Sequence, residues 1–197
     1  MWDERYAQDG FVYGTAPNDH LANYLHLLPK DGPILSLAEG EGRNAVAMAL
    51  AGCQVVGVDQ SSVGLQKAQR LAAERGVAIT TQVADLASFP IQPAAWAGIV
   101  SIFCHLPIAL RKPLHAACVA GLRPGGIFIL EAYTPDQLTY RTGGPQDAAL
   151  LMTLDDLKDE LAGLDWIVAR EITREIQEGA YHSGTSAVVQ LVGVKPG

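Results

Sequence analysis

The amino-acid sequence predicts an α/β fold: a doubly wound, largely parallel sheet in a single domain covering residues 1–197. Three observations carry this expectation. Strand and helix patterns alternate from about residue 33 to residue 133. A Gly-x-Gly turn, Gly40 and Gly42, separates the first strand of that series from its first helix. Acidic residues, Asp59 and Asp85, stand at the ends of the second and third strands. Strands separated by helices of this length require right-handed crossovers, which cover both faces of the sheet.

Each element has its own signature. "GPILSLA" is a buried apolar strand, and Arg43 to Leu50 an alanine-rich helix closed by Gly52. "CQVVGVD" is a short β-branched second strand. "SSVGLQKAQRLAAERG" is an amphipathic helix with a serine start and a Gly76 stop. "VAITTQVAD" gives strand three and "AGIVSIFCHL" strand four. "PLHAACVAGL" is a helix with Pro113 near its first turn, "RPGG" a turn and "GIFILEAY" strand five. Residues 134–152, rich in Pro, Gly, Thr and Gln, read as a long substrate-side loop. "TLDDLKDELAGL" opens with a Thr-x-x-Asp capping box and is a helix. "DWIVAREITREI" and "SGTSAVVQLVGVK" alternate as two strands joined by a turn in "QEGAYH".

Composition limits the function classes. The chain is 49% hydrophobic and 18% charged, and a domain this long can bury roughly 70% of its unfolded surface. A net charge of −7 and the lack of a basic run argue against nucleic acid or an anionic membrane as partner. No uncharged apolar run reaches the length of a membrane span. The polar opening "MWDERYAQDG" is not that of a secretory leader, and the three cysteines have no metal-ligand spacing. A cytoplasmic location, reduced thiols and no metal are expected.

The Gly40-x-Gly42 loop is the kind of backbone a ligand can approach closely, although many tight strand–helix turns share the spacing. Asp59 follows Gly42 by seventeen residues, where a carboxylate can accept hydrogen bonds from both hydroxyls of a ribose. Asp85, in "VADL", is placed to face an adenine amino group. A dinucleotide site would want a third glycine, where Ala45 stands, and a P-loop would want a lysine after Gly42. Glu39 and Glu41 would repel a pyrophosphate. An adenosine ligand with a cationic tail and no phosphate, such as S-adenosyl-L-methionine, suits the loop better.

These motifs, Gly-x-Gly after a strand, "VVGVDQS", "VADL" and "RPGGIFILE", resemble the successive motifs of class I S-adenosylmethionine-dependent methyltransferases. "GEGRNA" and the opening "WDERY…FVYGTAPN" are similar to the small tellurite-resistance (TehB-like) group. The resemblance implies a Rossmann-like, seven-stranded sheet of order 3-2-1-4-5-7-6 with strand seven antiparallel. It implies that Gly40, Gly42, Asp59, Gln60, Asp85, Leu86 and Phe103 belong to the cofactor side, Phe103 serving there or as packing. Ser36 stands where the resembling family carries an acidic residue, and Ala38 where it carries its first glycine. Glu39 is expected to supply the lost charge to the cofactor ammonium, and Glu41 to face solvent. Arg43 and Asn44 either meet the cofactor carboxylate or start the helix.

Methyl transfer from a sulfonium needs little acid–base help, so proximity and orientation can be most of the catalysis. The first twenty residues, part of an N-terminal lid segment (1–30), the end of strand four, the 134–152 loop and the final hairpin should wall the acceptor pocket. They hold Tyr6, Tyr13, His105, Tyr133, Tyr140, Tyr181 and His182. His182, Tyr6, Tyr13, His105 and Arg141 form the candidate catalytic set; Tyr6 and Tyr13 could equally anchor their segment, and His105 be structural. The resembling group places a His-Arg pair at the hairpin turn, and here only His182 carries over. Cys104 is a buried thiol or a transfer thiol, and His115 a packing residue.

The expected function is methyl transfer to a small soft nucleophile, a tellurite- or selenite-like oxyanion or a small thiol. The alternatives are an O- or N-methyltransferase of a small metabolite, or a noncatalytic S-adenosylmethionine-binding sensor. A nicotinamide-dependent oxidoreductase lacks its third glycine. The partner is a small-molecule acceptor, and the chain is expected as a monomer or weak homodimer.

Overall fold

In a computed structural model that describes residues 2–179 and 181–197, seven strands form one sheet. They are β1 (Pro33–Leu37), β2 (Gln54–Asp59), β3 (Thr80–Val83), β4 (Trp96–Ile102), β5 (Leu122–Tyr133), β6 (Asp165–Glu178) and β7 (His182–Val194). Their order is β3-β2-β1-β4-β5-β7-β6. The pairs β1–β2, β1–β4, β2–β3 and β4–β5 are parallel, and β7 runs antiparallel to both β5 and β6. This is the topology that the motif resemblance implies. Met1, at the start of the expected lid, and Ala180, in the expected "QEGAYH" turn, lie outside the described residues.

Alternation along each strand sends side chains to two cores, one on each face. Ile34, Val100 and Ile129 pack with Ala45, Met48, Ala68 and Leu71 on one side. Leu35, Leu37, Val58, Ile99 and Phe128 pack with Leu114, Cys118, Leu157 and Leu161 on the other. The helices are α1 (Trp2–Tyr6), α2 (Asp19–Tyr24), α3 (Arg43–Leu50), α4 (Ser62–Glu74), α5 (Ile108–Gly121), α6 (Gln137–Tyr140) and α7 (Leu154–Glu160). The Ser61 hydroxyl accepts from Gly64 N to start α4, and the Thr153 hydroxyl accepts from Asp156 N to start α7, as the sequence signals predict.

Four expectations need correction. The α5 helix begins at Ile108, not near Pro113, because the Pro107 carbonyl accepts from Leu110 N and Arg111 N at 2.9 Å and nucleates the first turn. Pro113 then sits in the second turn and forfeits only the rung to Ala109. Residues 134–152 are not loop throughout: they carry α6 and a 3-10 turn, Ala148–Leu150, and bury Leu151 and Met152. His182 does not precede the last strand but opens it, paired across from Glu178. Of residues 1–30, expected as a lid, Leu21 and Leu28 are core residues instead, and Trp2, Arg5, Tyr6, Tyr13 and Gly14 lie at the carboxyl edge of the sheet. No helix among the described residues is long and apolar enough to cross a membrane.

Strand order reverses at β1, with β2 on one side and β4 on the other. Crossovers leave a crevice at the carboxyl ends of such strands, where open α/β sheets bind ligands.

Candidate functional site

A cavity of about 460 Å³ fills that crevice. Its floor is the loop after β1 (Ala38 to Glu41), Asp59 and Gln60 after β2, and Asp85 and Leu86 after β3. Its other walls are Phe103 to Leu106 after β4, Trp2, Arg5, Tyr6, Tyr13 and Gly14 from the N-terminal segment, Gly143 to Pro145, and Tyr181 and His182 of the hairpin.

The floor is built from backbone conformations that few residues tolerate. Ala38, Gly40 and Gly42 all have positive φ, 50°, 61° and 93°. For alanine this left-handed region costs roughly 1–2 kcal/mol, which is the physical reason a glycine suits that place. A Cβ on Gly42 would lie 2.6 Å from Ala68, so its glycine serves helix packing against α4 rather than the cavity, which it does not line. A Cβ on Gly40 would lie 2.6 Å from the Tyr6 hydroxyl, so Tyr6 lies directly over the loop. The Gly40 N–H donates to Asp59 Oδ2 at 2.9 Å and the Ser61 N–H to Oδ1 at 2.8 Å. Each Asp59 oxygen keeps a lone pair for a further donor. Burial raises the Asp59 pKa, against these two N–H donors.

Glu39 is buried at 6% exposure. Its Oε1 accepts from Ala45 N at 2.9 Å, and Ser36 Oγ donates to Oε2. Gly57 on β2 leaves room for it: a Cβ there would lie 3.0 Å from Glu39 Cγ. Burial lifts the Glu39 pKa to about 7, against the donors at Ser36 and Ala45. Ser36 itself is buried behind Glu39 and does not line the cavity.

Glu41 does not face solvent. At 4% exposure it accepts from Val12 N at 2.7 Å and pairs with Lys67 Nζ at 2.9 Å. Lys67 also donates to the carbonyls of Gln8 and Gly10, both at 2.7 Å. A buried carboxylate needs such partners, and here they are the backbone of the lid. The Glu41–Lys67 pair therefore fastens residues 8–13 to α4.

At the hairpin wall of the cavity His182 packs against Tyr13 and Phe103, both at 4.8 Å between ring centroids, and edge-on to Tyr133 at 5.4 Å. Glu178 Oε2 lies 3.9 Å from His182 Nδ1 and 2.6 Å from Arg43 NH2, while its Oε1 accepts from Asn18 Nδ2 at 2.8 Å. Burial lowers the His182 pKa and Glu178 opposes it. Burial would raise Glu178, but His182 and Arg43 together hold it down at about 2. His105 is different. Its Nδ1–H donates to the Leu150 carbonyl at 2.9 Å and Nε2 accepts from Tyr133 N at 3.4 Å, which engages both ring nitrogens. Burial takes its pKa down to about 4. His105 is thus a neutral wall residue. Phe103, at φ 51°, holds another left-handed position at the mouth of the site.

The structure brings together Tyr6, Tyr13, His105 and His182 with Glu39, Gly40, Arg43, Asp59, Gln60, Asp85, Leu86 and Phe103 around one cavity. It leaves out Ser36, Gly42 and Arg141. Arg141 is the exposed left-handed cap of α6, φ 57°, and does not line the cavity. Asp85 lies two residues beyond β3, its Oδ1 accepting from Ala87 N. Sequence reasoning expected the segments that hold Trp2, Arg5 and Gly143–Pro145 at the pocket but did not single these residues out, and it expected Glu41 to face solvent. Local pattern places those segments but does not say which of their side chains reach the cavity; the tertiary fold decides that. Cys104 lines it too, but burial pushes its thiol up to about 12. His115 is not apolar packing: its Nδ1 lies 2.7 Å from Glu160 Oε2, in a buried cluster with Arg111. Among the described residues no group of three or more His, Cys, Asp or Glu side chains could hold a metal ion.

Residues 34–126, from β1 into β5, match the family model described as a methyltransferase domain. A 2-heptyl-1-hydroxyquinolin-4(1H)-one methyltransferase of Mycobacteroides abscessus is 30% identical over 113 residues, 53% of this chain and 50% of that protein. A carboxy-S-adenosyl-L-methionine synthase of Aliivibrio fischeri is 37% identical over 81 residues, 40% of this chain and 34% of that protein. The chain thus spans half or less of the length of the curated relatives it matches. Among solved structures, one described as converting a disulfide bond into a thioacetal group during echinomycin biosynthesis superposes with a TM-score of 0.78 at 16% identity, covering 99% of this chain and 91% of that one. TehB of Haemophilus influenzae superposes at 0.73 and 17% identity, covering 98% and 65%. Identities this low show the fold, and the family match covers β1 into β5 of it. Residues 34–126 thus resemble a methyltransferase domain, and the whole chain shares the fold of these solved structures, TehB among them.

Proposed function

We propose that this chain transfers a methyl group from S-adenosyl-L-methionine to a small acceptor, a soft nucleophile such as a selenite- or tellurite-like oxyanion or a small thiol. Asp59 carries the reading of the cofactor. Its two oxygens, each already oriented by one backbone N–H, keep the lone pairs that a ribose diol requires. Glu39 fits the cofactor ammonium, being a buried carboxylate on the cavity floor with no cation paired to it among the described residues. Leu86 and Phe103 suit the faces of an adenine, with Asp85 and Gln60 at its rim.

The bound cofactor supplies an electrophilic methyl on a sulfonium. The chain's own residues have to bind, orient and exclude water. Tyr6 covers the glycine loop, Tyr13 and His182 wall the acceptor side, and the Glu41–Lys67 pair holds the lid in place. His105 has no nitrogen to spare and Cys104 stays a thiol, so neither of these walls offers a base, and His182 is left to orient the acceptor. That favours an acceptor with its own lone pair. The buried, unpaired cysteines suit a reducing cytoplasm, and we expect a monomer or weak homodimer there.

A second reading, O-methylation of a small hydroxylated ring, is favoured by the aromatic walls and by the name of the Mycobacteroides relative. Transfer of labelled methyl from S-adenosylmethionine, screened over selenite, tellurite, small thiols, amines and hydroxyquinolines, tests both. Turnover on selenite or thiols supports the first reading, and turnover confined to the ring hydroxyls the second. Tight cofactor binding without any turnover would favour a sensor.

A further inference from the structure

Of the charged side chains that line the cavity, each carboxylate, Asp85 included, accepts from a protein donor, and Arg43 has a carboxylate partner. Glu41 has Lys67, Arg43 has Glu178, Asp59 has two backbone N–H donors, and Glu39 has Ser36 and Ala45 N. Arg5 is the exception. It lines the cavity, and among the described residues no carboxylate pairs with it. Its guanidinium carbon lies 4.9 Å from the Trp2 ring centroid and 5.1 Å from that of Tyr181, and NH1 donates to the Tyr13 hydroxyl at 3.0 Å.

This arrangement orients a cation without neutralising it. Aromatic faces attract a guanidinium through their quadrupoles and fix its plane, but they use none of its N–H donors. A guanidinium has five such donors, and Tyr13 takes one. Tyr13 also touches His182, so Arg5 stands on the acceptor side of the cavity. A chain of net charge −7 repels anions at long range, so an anionic acceptor needs a local cation.

We propose that Arg5 is the specificity-determining residue of the acceptor site, and that it receives an anionic group, a carboxylate or other small oxyanion, carried by the acceptor. This rests on the methyl-transfer reading above. The planar fork matches a carboxylate in two parallel hydrogen bonds, a geometry lysine cannot copy.

Calorimetric titration tests it, with the protein saturated in S-adenosylhomocysteine. The probes are mercaptoacetate and its neutral amide, which share a thiol and differ in charge, together with selenite. Wild type should bind mercaptoacetate about tenfold or more tighter than the amide, as expected for a charge-assisted pair. Arg5→Gln should abolish that preference and weaken selenite, Arg5→Lys should restore part of it, and neither should change S-adenosylhomocysteine affinity. In turnover, Arg5→Gln should raise KM for the anionic thiol with little change in kcat.

No preference in wild type, or a preference that survives in Arg5→Gln, overturns the proposal while leaving cofactor binding intact. So does a variant that binds S-adenosylhomocysteine weakly but 5′-methylthioadenosine normally, because the anion would then be the cofactor's own carboxylate. If wild type binds no S-adenosylhomocysteine at all, the methyl-transfer reading falls, and this proposal with it.

Discussion

Ser36 Oγ donates to Glu39 Oε2 in the buried floor of the cavity, so a loop glutamate and a strand serine together fill one site. The resembling family carries a carboxylate on the strand at this place. Here the strand position is neutral, and the carboxylate reaches it from three residues further along, across the gap left by Gly57.

The first prediction concerns that carboxylate. With its pKa raised to about 7, Glu39 holds a proton at lower pH that a cationic ligand must displace. Affinity for S-adenosylhomocysteine should therefore rise between about pH 5.5 and 7.5, with proton release on binding. Glu39→Gln should weaken binding at pH 7.5 and remove the pH dependence. The sign for the unliganded fold is the reverse. A raised folded pKa stabilises fully below the unfolded value and is lost as pH rises through about 7. Calorimetry in two buffers of different ionisation enthalpy measures both effects, and a pH-independent affinity in wild type would remove Glu39 from the ammonium site.

Asp59→Ala should lose a pair of charge-assisted hydrogen bonds, each worth roughly 1.5–3 kcal/mol, and so weaken cofactor binding by two orders of magnitude or more. The backbone donors Gly40 N and Ser61 N would lose their partner as well. Asp59→Asn, which keeps one acceptor oxygen, should be milder. Equal affinity of Asp59→Ala and wild type for S-adenosylhomocysteine would refute the ribose assignment.

Glu41→Gln should act on the lid rather than on the cofactor contacts. It leaves Lys67 buried without its carboxylate, and breaking such a pair costs about 3–5 kcal/mol. Urea denaturation should show the loss, and amide exchange should quicken at Val12 and Tyr13, whose N–H groups point at Glu41. Unchanged exchange there would mean that the strap does not hold the segment.

His182→Ala should reduce methyl transfer and leave cofactor affinity nearly intact, because the ring contacts Tyr13, Phe103 and Tyr133 on the acceptor side. Burial lowers the His182 pKa, so it is neutral from pH 7 upward and the rate should be flat there apart from titration of the acceptor. Its stabilising share is present above the unfolded histidine value and fades as pH falls through the lower folded one. Wild-type activity in His182→Ala would make the residue structural only.

Ala38→Gly should be tolerated or stabilise by up to about 1 kcal/mol, since φ of 50° strains alanine and not glycine. Ala38→Val should destabilise, because a β-branched side chain tolerates that region worse. Thermal unfolding of the two variants ranks them, and the opposite order would contradict the left-handed backbone at Ala38.

The sequence by itself determined the succession of strands and helices, the glycine loop and the carboxylate after β2, because these depend on local signals, whereas the strand order followed from the motif resemblance. Apolar runs, caps at Ser61 and Thr153, and positive-φ turns at Gly40 and Gly42 act over a few residues, and each left a readable pattern. Burial of charge did not. Glu41 reads as a solvated loop residue until Lys67 and the Val12 N–H arrive from elsewhere in the chain. Arg141 reads as a free cation beside the site, while Arg5 holds that place because α1 lays it between Trp2 and Tyr181, the latter far away in the chain. Histidine roles were likewise decided by distant partners. Leu150 O and Tyr133 N engage both nitrogens of His105, and Glu178, Tyr13 and Phe103 surround His182. A side chain's charge and proton occupancy follow from desolvation and from partners many residues away, and those are properties of the tertiary fold.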